Sequence, residues 1–153
     1  MLTNQSLQLK RPLKIAVFDS GIGGLSVLSA IRREVPDANL IYLADTAYAP
    51  YGNRTKKEIV KRTIQAAEFL SGCGADLIVV ACNTATVATI KLLRRKSSIP
   101  IIGVEPGIKP AIRASYAKHI GVMATYSTIQ SSSLAGLVAR FSGGATVTLK
   151  ACP

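Results

Sequence analysis

An α/β protein, with a mostly parallel sheet flanked by helices in a three-layer sandwich, is the fold class this sequence predicts. Two observations carry that expectation. Six short apolar runs rich in β-branched residues alternate with stretches of helical spacing, each long enough to cross back over a sheet. Glycines, acids and small hydroxyl residues follow those runs, where the ligand-binding loops of an open parallel sheet gather.

The first strand is expected at residues 14–18 (KIAVF), followed by Asp19-Ser20-Gly21-Ile22-Gly23-Gly24 and a helix beginning near Gly24. A second run, residues 39–43 (NLIYL), leads to Asp45 and then to Pro50-Tyr51-Gly52. The next helix has the clearest local start, because Thr55 and Glu58 form a T-x-x-E capping box in which each side chain satisfies a free backbone N–H. Residues 76–81 (DLIVVA) form the third expected strand and end on Cys82-Asn83-Thr84, with a helix from about Thr84 that Asn83 or Thr84 could cap. The fourth strand, 101–104 (IIGV), gives way to Glu105-Pro106-Gly107 and a helix near Pro106. The fifth, 120–124 (IGVMA), is followed by Thr125 and a helix near Ser127, and 146–149 (TVTL) make the sixth.

At 153 residues, 48% of them hydrophobic, the chain suffices for one domain with a substantial core. Residues 1–13 read as a polar extension without the apolar stretch of a secretory signal, so a cytoplasmic location is expected. The uncharged run Ile120–Ala139 matches a membrane helix in length but contains six Ser or Thr residues and internal glycine, so it is read as soluble structure and no membrane partner is expected. Three cysteines, at 73, 82 and 152, form no C-x-x-C pair, and with a single histidine no protein-only metal site is expected. The thiols are read as reduced. The net charge of +11 concentrates in Lys56, Lys57, Lys61, Arg62 and in Lys91, Arg94, Arg95, Lys96. No nucleic-acid motif accompanies these clusters and aromatic residues are scarce, so they read as solvated helix faces and not as a nucleic-acid surface.

The glycine loop after the first strand superficially matches a dinucleotide fingerprint. However, Ser26 stands where the third glycine would fall, and Asp19 places an anion where pyrophosphate would approach. Cys82 is more informative. A thiol at a helix N-terminus is shifted toward thiolate by the aligned backbone dipoles, which makes a base available. Asn83, Thr84 and Ser20 offer donors suited to a carboxylate beside it. Cys73 lacks such company and reads as structural or simply exposed, Cys152 has no supporting shell and reads as structural, and His119 falls at the amino end of its strand.

Several segments, in order, resemble the aspartate/glutamate racemase family: FDSGIGGLSV (18–27), ADTAYAPYG (44–52), ACNTAT (81–86), GVEPGIKPA (103–111) and GVMAT (121–125). The resemblance spans residues 14–153 and implies the first of the family's two similar domains. It implies a pyridoxal-phosphate-independent interconversion of L- and D-glutamate, with no cofactor, in which two thiols on opposite faces of the α-carbon exchange a proton. By correspondence, Cys82 is one of those thiols and Asp19 lies close to it as a second catalytic residue. Asp19, Ser20, Pro50, Tyr51, Gly52, Asn83, Thr84 and Thr125 would bind substrate. The family role implied is D-glutamate supply for peptidoglycan, with aspartate as the nearest rival substrate. The second cysteine belongs to a Cys-Thr-His motif in a second racemase domain. That motif is not found in residues 1–153, so the chain is expected to be an excerpt or truncated product that does not racemise alone. A homodimer is compatible with the resemblance. The rival reading is a non-catalytic partner-binding protein of the kind that restrains DNA gyrase.

Overall fold

The computed structural model describes residues 11–152, so most of the polar extension lies outside the described residues. The chain runs β1 (Lys14–Asp19), α1 (Leu25–Glu34), β2 (Asn39–Ala44), α2 (Lys56–Gly72), β3 (Leu77–Val80), α3 (Asn83–Lys96), β4 (Ile101–Gly103), α4 (Ile108–Ala114), β5 (His119–Ala124), α5 (Tyr126–Ile129), α6 (Ser132–Phe141) and β6 (Thr146–Ala151). Between β2 and α2, two short 3₁₀ turns cover Thr46–Tyr48 and Tyr51–Asn53.

β1 sits inside a parallel sheet of order β2-β1-β3-β4, with Phe18 level with Leu43 on one side and Val80 on the other. Successive side chains of a strand point to opposite faces, so a strand covered on both sides reads as continuously apolar. Ala16 and Phe18 accordingly join the core under α2 and α3, with Ile59, Leu70, Ala85 and Leu93. Ile15 and Val17 join the other face, against Val27, Leu28 and Ile31 of α1. Helices on both faces of the sheet make the three-layer sandwich that the alternation predicted.

One expectation is corrected. β5 and β6 do not extend that sheet; they pair with each other, in parallel, as a separate two-stranded sheet. It has its own core, in which Ile108 and Ile112 of α4 and Leu134 of α6 cover Ile120, Val122 and Val147. Strand–helix alternation shows that a crossover exists but does not choose the neighbouring strand. With three residues, β4 also offers a short edge on which to add another strand.

The helix expected near Ser127 is broken in two. Ser131 accepts the Leu134 N–H at 3.1 Å and starts α6 afresh, two residues after α5 ends. The capping box on α2 is present in full: the Thr55 N–H donates to Glu58 Oε2 at 2.9 Å and the Glu58 N–H to Thr55 Oγ1 at 3.3 Å.

Candidate active site

Parallel strands deliver their carboxyl ends to one side of the sheet, where Ser20 meets Cys82, and Gly52 and Thr84 meet Thr125. Cys82 is itself the N-cap of α3, a role the sequence suggested for Asn83 or Thr84. Its Sγ accepts the Ala85 N–H at 3.4 Å and lies 3.5 Å from Ser20 Oγ, and the residue is 7% exposed. A negative sulfur here would be met by a backbone donor, by the positive end of a 14-residue helix and by a hydroxyl.

Asp19, at the end of β1, is buried, and its Oδ1 accepts the Gly21 N–H at 2.7 Å. Gly24 lets α1 begin against it: a Cβ there would lie 2.8 Å from Asp19 Cβ and 3.0 Å from Ala81 Cβ. The glycine therefore serves a close approach and not a phosphate cradle. Tyr42, which sequence reasoning did not select, fastens the same loop by donating its hydroxyl to the Gly21 carbonyl at 2.7 Å. Burial, then the charge of Asp19, and more weakly Cys82, raise its phenol above the ordinary value against a smaller opposing pull from a Gly24 backbone contact, so it stays a neutral donor.

After β2, Asp45 receives a two-pronged ion pair from Arg62, with Nη2 at 2.6 Å and Nε at 2.9 Å, and a hydrogen bond from Tyr51 Oη at 2.7 Å. The Arg62 hydrogen bonds hold the Asp45 carboxyl below the usual carboxylate range, while burial and then Asp45 raise the Tyr51 phenol. Arg62 also lies 4.0 Å over the Tyr48 ring. It is thus withdrawn from the basic helix face to which the sequence assigned it. Tyr51 is 2% exposed with its ring tilted against Phe18, so its side chain builds the core. Pro50, entered through a cis peptide bond, is exposed.

Gly52 approaches Thr125 so closely that a Cβ would meet Thr125 Cγ2 at 2.8 Å. Thr125 caps α5, and its Oγ1 lies 3.1 Å from Thr84 Oγ1 and 3.0 Å from Thr128 Oγ1; Thr84 and Thr128 are 3.3 Å apart. Three hydroxyls from α3 and α5 therefore form a closed triangle. Thr128 also escaped the sequence reading, although the T-x-x-T spacing at a helix start is the signal that marks it.

The structure thus brings Ser20 to Cys82, and both Thr84 and Gly52 to Thr125. Asn83 is exposed and commits its side-chain N–H to the Val104 carbonyl at 2.8 Å, fixing the end of β4. A cleft of about 240 Å³ runs between Asn83, Pro106, Gly107, Ala124 and Thr128. A second cavity, about 370 Å³ between Ile64, Leu93 and Ser97, lies toward the C-terminal ends of α2 and α3, away from the thiol. His119 bonds Thr148 at the amino end of β5, and Cys73 and Cys152 stand apart; all three cysteines are free. Among the described residues no group of three His, Cys, Asp or Glu could hold a metal ion, and no helix is long and apolar enough to cross a membrane.

Comparison with known proteins agrees with the fold. A family model described as Asp/Glu/Hydantoin racemase matches residues 22–151. Glutamate racemase of Ralstonia nicotianae is 49% identical over 133 residues, which are 87% of this chain and 48% of the relative; that of Aquifex aeolicus is 47% identical over 142 residues, 92% and 55%. Among solved structures, the Escherichia coli glutamate racemase bound to L-glutamate and the activator UDP-MurNAc-Ala superposes with a TM-score of 0.85 at 38% identity, covering 92% of this chain and 53% of that one. The Aquifex pyrophilus enzyme gives 0.83 at 44% identity, covering 92% and 56%. The chain spans about half the length of the curated relatives it matches. With the matched segment running from the glycine loop through β6, the chain belongs to the Asp/Glu/Hydantoin racemase family.

Proposed function

We propose that this chain supplies the Cys82 half of a cofactor-independent glutamate racemase site. The observation that carries the reading is the thiol at the N-cap of α3, receiving the Ala85 N–H and backed by Ser20. The Cys82 thiolate removes the α-proton: the C–H bond breaks, an S–H bond forms, and the electron pair stays on the α-carbon. A second thiol then delivers its proton to the opposite face, which inverts the centre.

An amino-acid α-proton is very weakly acidic, so the carboxylate must be held among fixed donors with water excluded while the carbanion forms. Ser20, Asn83, Thr84 and Thr125 supply those donors together with the backbone N–H groups of Tyr51 and Gly52; Pro50, which has no N–H, lines the substrate, and Asp19 holds the loop beside the thiol. Residues 14–153 act as the first racemase domain, and the second thiol comes from the remaining length typical of the relatives. The product is D-glutamate for peptidoglycan, made in the cytoplasm. The partner-binding alternative has less support, because it gives no reason for a buried thiol to cap a helix beside a hydroxyl.

The test is α-proton exchange of D- and L-glutamate in deuterated water, without added cofactor, on this chain and on Cys82→Ala. Exchange of one enantiomer that disappears in the variant supports Cys82 as a one-sided base. Exchange that persists in Cys82→Ala would refute the assignment, and turnover by the 153-residue chain alone would refute the half-site.

A further inference from the structure

We propose that the groove between the start of α2 and the α5–α6 break is a separate binding site, which takes a phosphate dianion, either free or carried on a small organic molecule. The site does not depend on the racemase reading.

The groove has a volume of about 440 Å³, within the range of small-molecule sites and larger than the cleft beside Asn83. Arg54 and Lys56 line it from the α2 side, Val87 and Ala88 from α3, and Tyr126, Ser127, Gln130 and Ser132 from the other side. Gln130 follows α5 and Ser132 begins α6, so both flanks of the break reach it. It shares no residue with the Asn83 cleft, and Ser20, Cys82, Thr84 and Thr125 do not line it.

Its chemistry is one-sided. Two cations line the groove and no carboxylate does. Among the described residues neither Arg54 nor Lys56 takes part in a salt bridge. The two acids nearest in sequence are committed elsewhere: Glu58 Oε2 accepts from the Thr55 N–H and hydroxyl at 2.9 and 2.7 Å, and Asp45 is held by Arg62. Arg54 anchors its Nε on the Tyr48 carbonyl at 3.1 Å, which orients the guanidinium and leaves its two Nη groups without a partner among the described residues. The side chains of Lys56, Ser127, Gln130 and Ser132 also make no hydrogen bond there.

A groove that offers donors and positive charge selects a ligand that brings acceptors and negative charge. A phosphoryl group carries about −1.5 to −2 charge at neutral pH and three strong acceptor oxygens, enough to face both cations and the neutral donors between them. A carboxylate brings a single charge and two oxygens. Two neighbouring oxygens of a phosphate also fit the paired N–H groups of a guanidinium. The Tyr126 ring, 66% exposed at the groove, offers a flat face on which an attached organic group can lie.

The experiment titrates inorganic phosphate, exchanged against chloride at constant ionic strength, into the isotopically labelled protein at its full natural length and follows the backbone amide shifts. The expected result is saturable shifts at Lys56, Ser127 and Ser132. Arg54→Gln and Lys56→Gln should each raise the Kd about tenfold, while Lys91→Gln and Arg95→Gln, on the exposed face of α3, should leave it within about twofold. Phenyl phosphate separates the two sources. A lower Kd than that of inorganic phosphate, with the gain lost in Tyr126→Ala, assigns an organic phosphate, and equal Kd values assign the free ion. Shifts that do not saturate, shifts centred on other basic residues, or equal weakening by all four glutamine substitutions would overturn the proposal, because each is what charge screening alone produces. No racemisation is measured, so failure of this site and failure of the racemase reading are told apart.

Discussion

Asp45 shows how one carboxylate can organise a loop without touching the chemistry. It neutralises Arg62, accepts from Tyr51, and so holds the Pro50-Tyr51-Gly52 segment against the sheet. Its ionisation lies below the ordinary carboxylate range, so the pair adds stability above about pH 4 that is lost as pH falls through the lowered value. Asp45→Asn should remove that acid-side loss and lower stability near neutral pH by about 1–3 kcal/mol, as read by denaturant midpoints across pH. A midpoint with unchanged pH dependence would contradict this account. Gly52→Ala forces a methyl to within 2.8 Å of Thr125 Cγ2, so it should cost about 1–3 kcal/mol. The same substitution should weaken glutamate binding by displacing Thr125, which titration of the full-length protein would reveal. Neither pairing is readable in sequence. Asp45 and Arg62 are 17 positions apart, and nothing in a run of basic residues says which one turns inward.

Elements were legible where the signal was local. The capping box fixed the start of α2, and the apolar runs located all six strands to within about two residues. The α5–α6 break was missed because a serine within a helical pattern signals a cap only once its hydroxyl is seen to accept a backbone N–H. For the same reason Cys82 was recognised as sitting at a helix start but not as its cap: sulfur is an uncommon N-cap acceptor, so propensity points past it to Asn83 and Thr84. Thr55→Ala should cost about 1 kcal/mol, seen as faster amide exchange in the first turn of α2.

Across the whole molecule, the alternation of strands and helices predicted the layers but not the division into two sheets with separate cores. Side-chain pattern reports which face of a strand is buried and not which strand lies beside it. Several large apolar residues remain exposed at or near the carboxyl ends of the strands: Ile22, Leu25, Met123 and Tyr126, with Ile102 on β4. The 153-residue chain should therefore bind a hydrophobic dye and self-associate at concentrations where a full-length relative does not, and replacing Ile22 and Met123 with polar residues should reduce both. A monodisperse chain without dye binding would count against that expectation. The two sheets also have a thermal consequence. Thr84 follows the first and Thr125 the second, so an anion gripped by both would act as a clasp. Calorimetry without ligand should show the two cores melting as separable steps. Saturating glutamate should draw those steps together into one sharper transition at higher temperature, because parting the sheets would then first require the clasp to let go.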